Sequence, residues 1–164
     1  MPSSDVSAPR KRVLRDVVAA DVPIFFEHQR EPEANQMALF PARDERAFSA
    51  HWREKILANP AVTKKTIVSN GAVAGNILCF ERAGRREVGY WIGKDFWGKG
   101  LATRALAELL EDVSARPLYA TVAKTNVGSV RVLEKCGFVV VDSRREFDEA
   151  WGGEIDEVIL MLAA

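Results

Sequence analysis

The stretch that most narrows what this chain can fold into is Val88-Gly89-Tyr90-Trp91-Ile92-Gly93-Lys94-Asp95-Phe96-Trp97-Gly98-Lys99-Gly100-Leu101-Ala102-Thr103. A strand-like run enters a glycine-rich turn. The turn opens a helix with an apolar stripe at Leu101, Ala105, Leu109 and at Leu106, Leu110, Val113. Glycine takes positive φ without strain and lets the backbone approach a ligand closely. The first N–H groups of a helix have no partner inside it, and the helix dipole adds partial positive charge there. Strand, glycine turn and helix start together make an anion site suited to a pyrophosphate, with Lys99 and Arg104 as added charge. Gly98 and Gly100 serve a plain tight turn equally well, so this segment alone leaves both readings open.

The rest of the chain frames that stretch. Arg12 to Val17 reads as a first strand. Asp21 caps a helix carrying Ile24, Phe25 and Phe26, with Pro23 in its first turn and Pro32 as its stop. A second helix is expected from Asp44 to Ala58, because Phe48, Trp52 and Ile56 recur every four residues. The period then becomes two. Residues 65–68 and 73–80 flank Asn70-Gly71 as a hairpin, Gly84 allows another turn, and 87–92 is the next strand. After the 101 helix, Pro117 ends the segment and 118–123 reads as a buried strand. Residues 126–136 form a short helix and 138–141 a strand. A loop centres on Trp151-Gly152-Gly153, and 157–162 is a last strand. This order predicts an α/β chain with a mixed, mostly antiparallel twisted sheet of about seven strands and helices on both faces.

Composition sets outer limits. The chain has 164 residues, 48% of them apolar, enough for one domain with a real core. Residues 1–10 read as a flexible N-terminus and 11–164 as a single domain. Lys plus Arg and Asp plus Glu are both 23, so the net charge is zero and no electrostatic footprint for nucleic acid or a membrane surface is present. No apolar run approaches the roughly 20 residues of a membrane helix, and the opening residues lack a secretory pattern, which points to the cytoplasm. Two cysteines, Cys79 and Cys136, and two histidines, His28 and His51, supply a metal site poorly, so no metal is expected.

Known nucleotide loops fit badly. No Gly-x-x-x-x-Gly-Lys-Ser/Thr run is present. Gly98-x-Gly100-x-x-Thr103 looks superficially like a dinucleotide fingerprint. That fold wants an acid after the next strand, where this chain has Lys124-Thr125, and a parallel unit before the loop rather than an antiparallel meander. A second segment is Asn126-Val127-Gly128-Ser129-Val130-Arg131-Val132-Leu133-Glu134-Lys135-Cys136-Gly137-Phe138. Here Asn126 reads as an N-cap and Gly137 as the left-handed residue past the helix end, with Phe138 as the hydrophobic contact that follows.

Trp97-Gly98-Lys99-Gly100-Leu101-Ala102-Thr103, followed by Asn126-x-x-Ser129-x-x-Val132-Leu133-Glu134-Lys135-Cys136-Gly137-Phe138, resembles the GNAT acetyltransferase superfamily, and most of all its branch of ribosomal-protein N-terminal (Rim-type) acetyltransferases. The resemblance is tight over about residues 87–140, and the element order across 12–162 is compatible with the family fold. It implies acetyl-CoA as co-substrate and transfer of acetyl to a primary amine, either a protein or peptide N-terminus or a small molecule. The family's Gln/Arg-x-x-Gly-x-Gly/Ala loop falls on Trp97 to Ala102, with Trp97 in place of the usual polar residue. Backbone amides from Gly98 through Lys99, Gly100, Leu101 and Ala102 to Thr103 would hold the pyrophosphate. Strands 87–92 and 118–123 would splay to admit the pantetheine arm. Backbone N–H groups from Trp91 through Ile92 to Gly93 would polarise the thioester carbonyl, and Asn126 would bond the arm. Many members place a tyrosine where this chain has Leu133, which leaves Ser129 as the proton donor for the thiol, directly or through water.

Amine acylation needs a group that takes a proton from the ammonium before attack. Glu87, on the strand beside the acetyl position, is the first candidate base, and a solvated strand residue beside Arg85 and Arg86 is its other reading. His28 and His51 have suitable acidity but sit in helices with other work to do. Cys136 lacks a nearby His and reads as a small buried residue rather than a nucleophile. Direct attack in a ternary complex is therefore expected. Trp52, Tyr90, Trp91 and Trp97 are the expected acceptor-cleft aromatics, with core packing as the alternative for at least some of them. Asp95 and an acidic loop over 146–149 would meet a cationic amine. Leu133 keeps a non-catalytic acyl-CoA-binding module as the rival reading, and the chain is expected to be a monomer or homodimer.

Overall fold

The computed structural model describes residues 11–164; the expected flexible segment 1–10 lies outside the described residues. Seven strands form one sheet: β1 (Leu14–Asp16), β2 (Thr63–Ser69), β3 (Ala72–Arg82), β4 (Arg85–Ile92), β5 (Leu118–Ala123), β6 (Val139–Asp148) and β7 (Gly153–Leu162). Their spatial order is β1-β2-β3-β4-β5-β7-β6. All neighbours run antiparallel except β4 and β5. The expected mixed, mostly antiparallel sheet with helices on both faces is what forms.

Local chemistry explains the hairpins. Asn70 and Gly71 both take positive φ, 49° and 80°, as a type I′ turn requires. Ala83 and Gly84 repeat the pattern at 50° and 78°.

Five helices cover the sheet among the described residues: α1 (Val22–Gln29), α2 (Pro32–Ala38), α3 (Glu45–His51), α4 (Leu101–Asp112) and α5 (Val127–Lys135). Pro32 does not merely end the first helix. It opens α2, which the sequence reading did not contain, because a residue without an N–H and with φ already near the helical value suits a first turn. The expected 44–58 helix starts under its Asp44 cap, whose carboxylate accepts from the Ala47 amide at 2.7 Å. It continues beyond α3 through a π-helical stretch, Trp52–Leu57, where the Ala58 amide reaches back five residues to the Arg53 carbonyl. The chain end also differs. Strands β6 and β7 pair over most of their length as one long hairpin, so Glu146 stands in a strand opposite Ile155 rather than in an acidic loop.

Two apolar layers follow from strand alternation. On one face, α4 and α5 bury Leu106, Leu109 and Leu133 against Ile77, Val88, Leu118, Ala120 and Leu160. On the other, α1 and α3 with its π-helical extension bury Phe25, Phe26, Phe48, Trp52 and Ile56 against Val73 and Leu78. No helix among the described residues is long and apolar enough to cross a membrane.

One buried carboxylate ties the sheet edge to α1. Asp21 accepts from both Arg15 guanidinium nitrogens (2.7 and 2.9 Å), from the Val18 amide (3.0 Å) and from the Thr66 hydroxyl (2.7 Å). The Arg15 hydrogen bonds, opposed by burial and helped by Val18 and Thr66, hold its carboxyl at about 2. A depressed carboxyl stabilises the fold above its unfolded pKa near 3.9 and loses that contribution as pH falls through the folded value. Asp21→Asn should therefore cost about 2 kcal/mol at neutral pH. The variant should also lose the part of the stability decline that the parent shows between about pH 4 and 2, read from urea midpoints across that range.

Candidate active site

The site begins where two parallel strands fail to stay together. β4 and β5 share a single registered pair, Glu87 with Tyr119, whereas β5 and β7 share six. Beyond Glu87 the strands part, and a cavity of about 1150 Å³ runs through the gap from one face of the sheet to the other. On the α4 and α5 side it is lined by Tyr90, Gly98, Gly100, Thr103, Asn126 and Ser129. On the α1 side it is lined by Met37, Phe40, Arg43, Trp91, Thr121 and Glu157.

Parted strands leave backbone groups facing the gap. Gly93 donates its N–H to the Ala74 carbonyl at 2.8 Å, toward β3. The Trp91 carbonyl lies over Gly75, also toward β3, where it leaves no room for a Cβ. The Ile92 carbonyl points elsewhere and accepts from the Trp97 indole at 3.0 Å. Alternation along the strand therefore turns the amides of Trp91 and Gly93 to β3 and those of Tyr90 and Ile92 into the gap. This corrects the expected trio of amides at 91–93. Gly93 and Trp91 are spent inside the sheet, Ile92 stays available, and Tyr90 joins it.

The turn after β4 is held by side chains that the sequence reading assigned otherwise. Trp97, which stands in place of the family's usual polar residue, closes the turn through its indole bond to the Ile92 carbonyl. Gly93 packs against the His28 ring; a Cβ there would lie 2.6 Å from two ring atoms. The Trp91 indole donates to the His28 carbonyl at 3.1 Å and its ring lies 5.9 Å from Phe40. Gly98 and Gly100 take φ of 76° and 72°, with open space where a Cβ would stand. Gly100 is the N-cap of α4 and offers no side chain, and the first turn carries no acid. The Arg104 amide makes the first intrahelical bond, to the Gly100 carbonyl. The amides of Leu101, Ala102 and Thr103 thus start the helix without an intrahelical acceptor. Of the two cations expected to help, Arg104 donates instead to the Lys11 carbonyl at 3.0 Å, and the Lys99 ammonium sits 5.5 Å from the Phe96 ring centre.

At α5, local capping forms as expected. The Asn126 side-chain Oδ1 accepts from the Ser129 amide at 3.4 Å. Gly137 stands at φ 96°, with Gly137 N–H on the Glu134 carbonyl and Phe138 N–H on the Leu133 carbonyl, a Schellman motif. Ser129 and Asn126 line the cavity, and the Ser129 hydroxyl lies 2.8 Å from the Tyr90 hydroxyl. Burial lifts the Tyr90 phenol to about 12, against a lowering hydrogen bond from Ser129. Cys136 rests on the Thr103 carbonyl with its thiol pushed up by burial, the state of an inert thiol.

Glu87 is not solvated. It is 4% exposed and accepts from the Thr121 hydroxyl at 2.8 Å. Thr121, absent from the sequence reading, lines the cavity; its parity with Tyr119, the residue paired with Glu87, is the signal that places it beside that carboxylate. Trp52 lies away from the cavity, 3% exposed and packed on Phe25 and Phe48. Its spacing of four with Phe48 and Ile56 fits a core-facing helix stripe, and the core is where it goes. Tyr90 reaches the cavity from the α5 side, opposite the face on which Phe40 and Trp91 meet. Glu146 and Asp148 line the cavity from β6, whereas Asp95 does not. Burial lowers both histidines, and neither lines the cavity. Phe40 and Arg43 come from a loop that carries no sequence signal for a site.

The chain matches the acetyltransferase (GNAT) domain family over residues 11–139. It is 29% identical over 105 residues to p20, an uncharacterized N-acetyltransferase of Bacillus licheniformis; the match covers 62% of this chain and spans 58% of the relative's length. Spermidine N-acetyltransferase from Vibrio cholerae, solved with CoA and spermine, superposes at a TM-score of 0.78 with 17% identity, over 92% of this chain and 94% of that one. Phosphinothricin acetyltransferase from Sinorhizobium meliloti, solved with acetyl-CoA, gives 0.76 at 21% identity, over 92% and 86%. A ribosomal L7/L12 alpha-N-protein acetyltransferase solved with CoA gives 0.75 at 16%, over 92% of each chain.

Gly93→Ala tests how the turn is held. The added methyl meets the His28 ring, so the variant should lose about 1–3 kcal/mol in denaturant unfolding. A stability equal to the parent's would show that the ring does not brace the turn.

Proposed function

This chain belongs to the GNAT acetyltransferase family, and we propose from that premise that it is an acetyl-CoA-dependent N-acetyltransferase acting on a primary amine by direct attack in a ternary complex. The observation that carries the reading is the gap between β4 and β5, with an uncapped helix start at one mouth and a separate aromatic and acidic chamber at the other. The amides of Leu101, Ala102 and Thr103 hold the pyrophosphate, and Gly98 and Gly100 keep side chains out of its way. Asn126, whose oxygen caps α5, has its amide NH2 left to bond the pantetheine arm. Bound acetyl-CoA supplies a thioester carbonyl in the gap. The Ile92 and Tyr90 amides point at that oxygen and stabilise the charge that grows on it during attack.

The amine enters on the α1 side, between Phe40 and Trp91 on one hand and Glu146, Asp148 and Glu157 on the other. Aromatic faces and carboxylates favour a cation, which must lose a proton before it attacks. Glu87 takes that proton through Thr121, whose hydroxyl donates to Glu87 and so keeps lone pairs for the amine or a water. Ser129 hydrogen-bonds the departing sulfur from the other face. The acceptor class is a protein or peptide N-terminus or a small-molecule amine. Within the family we place the chain beside the ribosomal-protein N-terminal acetyltransferases, on the loop and helix motifs at 97–103 and 126–138.

Thiol release from acetyl-CoA across a panel of N-terminal peptides, polyamines and aminoglycosides tests the reading. Turnover of at least one primary amine is expected. Tight CoA binding with no turnover of any amine would favour a non-catalytic module, the reading that Leu133 supports; binding of NAD in place of CoA would favour a dinucleotide domain. Gly100→Glu should lower CoA affinity by about a hundredfold or more, since a carboxylate then faces the diphosphate. An affinity equal to the parent's would remove the phosphates from this helix start. Glu87→Gln should lower kcat by about 10²-fold or more with KM little changed; a kcat equal to the parent's would take the base role from Glu87.

A further inference from the structure

The Tyr90 hydroxyl faces two oxygens of one residue. It lies 3.1 Å from the Ser129 carbonyl and 2.8 Å from the Ser129 hydroxyl. A phenol has one proton and a carbonyl has none, so the pair has two distinct arrangements. In the first, Tyr90 donates to the carbonyl, Ser129 donates to Tyr90, and the serine proton is turned away from the cavity. In the second, Tyr90 donates to the serine oxygen, and the serine proton is free to point into the cavity. We propose that Tyr90 is a positioning residue that sets the direction of the Ser129 proton, so that an anionic sulfur in the gap selects the second arrangement.

The inference rests on the reading of the cavity as the acetyl-CoA site. Three further observations support it. Both side chains line the gap, Tyr90 from the end of β4 and Ser129 from the first turn of α5. Leu133, one turn further along α5, is fully buried and has no proton to offer. Burial holds the phenol at about 12, so it keeps its proton throughout and only its acceptor changes. The chemistry balances without ionising Tyr90. The C–N bond forms, the C–S bond breaks with its electron pair on sulfur, and the proton that sulfur finally holds is the second one the nitrogen sheds, lost after attack, the first having gone to Glu87. Ser129 with Tyr90 behind it stabilises the sulfur anion until that proton arrives.

The test uses the full chain with CoA alone, and then with an accepted amine. Ultraviolet titration of the bound thiol should show it ionising at lower pH than in free CoA. Tyr90→Phe and Ser129→Ala should each move that ionisation upward, and the double variant should move it no further than Ser129→Ala does. With an amine, Tyr90→Phe should lower kcat about tenfold with KM little changed. Ser129→Thr, which keeps the hydroxyl, should restore what Ser129→Ala loses and so separates proton direction from mere packing. Independent, multiplicative effects of the two substitutions, or a bound thiol that ionises as in free solution, would overturn the proposal. A chain that binds no CoA would overturn the site assignment and this inference with it. Normal binding and turnover with an inert Tyr90→Phe would overturn this inference alone.

Discussion

The molecule depends on one broken partnership. A parallel strand pair normally satisfies both inner edges with evenly spaced hydrogen bonds. β4 and β5 join once, at Glu87 and Tyr119, and then diverge. Backbone donors inside a protein must find partners, and the amides of Tyr90 and Ile92 face a cavity instead. The strands on either side do not share this defect. β3 is paired with β4 along its length, and β5 with β7. The sheet is therefore rigid on both flanks of the gap and open only between them, which is what a preorganised donor pair needs.

The turn that follows β4 is kept in place by contacts with the same strand end. The Trp97 indole takes the Ile92 carbonyl, His28 fills the space beside Gly93, and the Gly93 amide is tied to β3. These bonds consume the groups that point away from the gap and leave those that point into it. Gly98 and Gly100 then release the chain into α4 at φ values that other residues adopt only with strain. The helix start is left with amides and without a capping side chain or an acid, an arrangement with positive potential and no internal counterion.

Two hydrogen-bonded side-chain pairs, one hydroxyl with carboxylate and one hydroxyl with hydroxyl, flank the opening. Thr121 with Glu87 stands on the α1 face, where Phe40 and Trp91 meet; Ser129 with Tyr90 stands on the α5 face. In the proposed reaction they divide the work of proton removal and sulfur stabilisation, and the sheet between them keeps the two from neutralising each other. In each pair the hydroxyl is held by a partner that the solvent cannot easily replace.

The sequence by itself determined whatever a residue and its near neighbours decide. Asn70-Gly71 forces positive φ, Asn126 and Gly137 cap one helix, and Gly98 and Gly100 shape the loop before another. Apolar periods place the helix and strand faces. It could not settle which aromatic residues meet the cavity: Trp52, at a spacing that serves core and cleft alike, goes to the core. Nor did it reveal α2, the length of β6, the use of Arg104 at the N-terminal segment, or the partners of Glu87 and Tyr90. Those pairs join residues 34 and 39 positions apart. Which side chains meet across such distances follows from register and from the parity of each strand, and register is fixed only when the whole sheet packs.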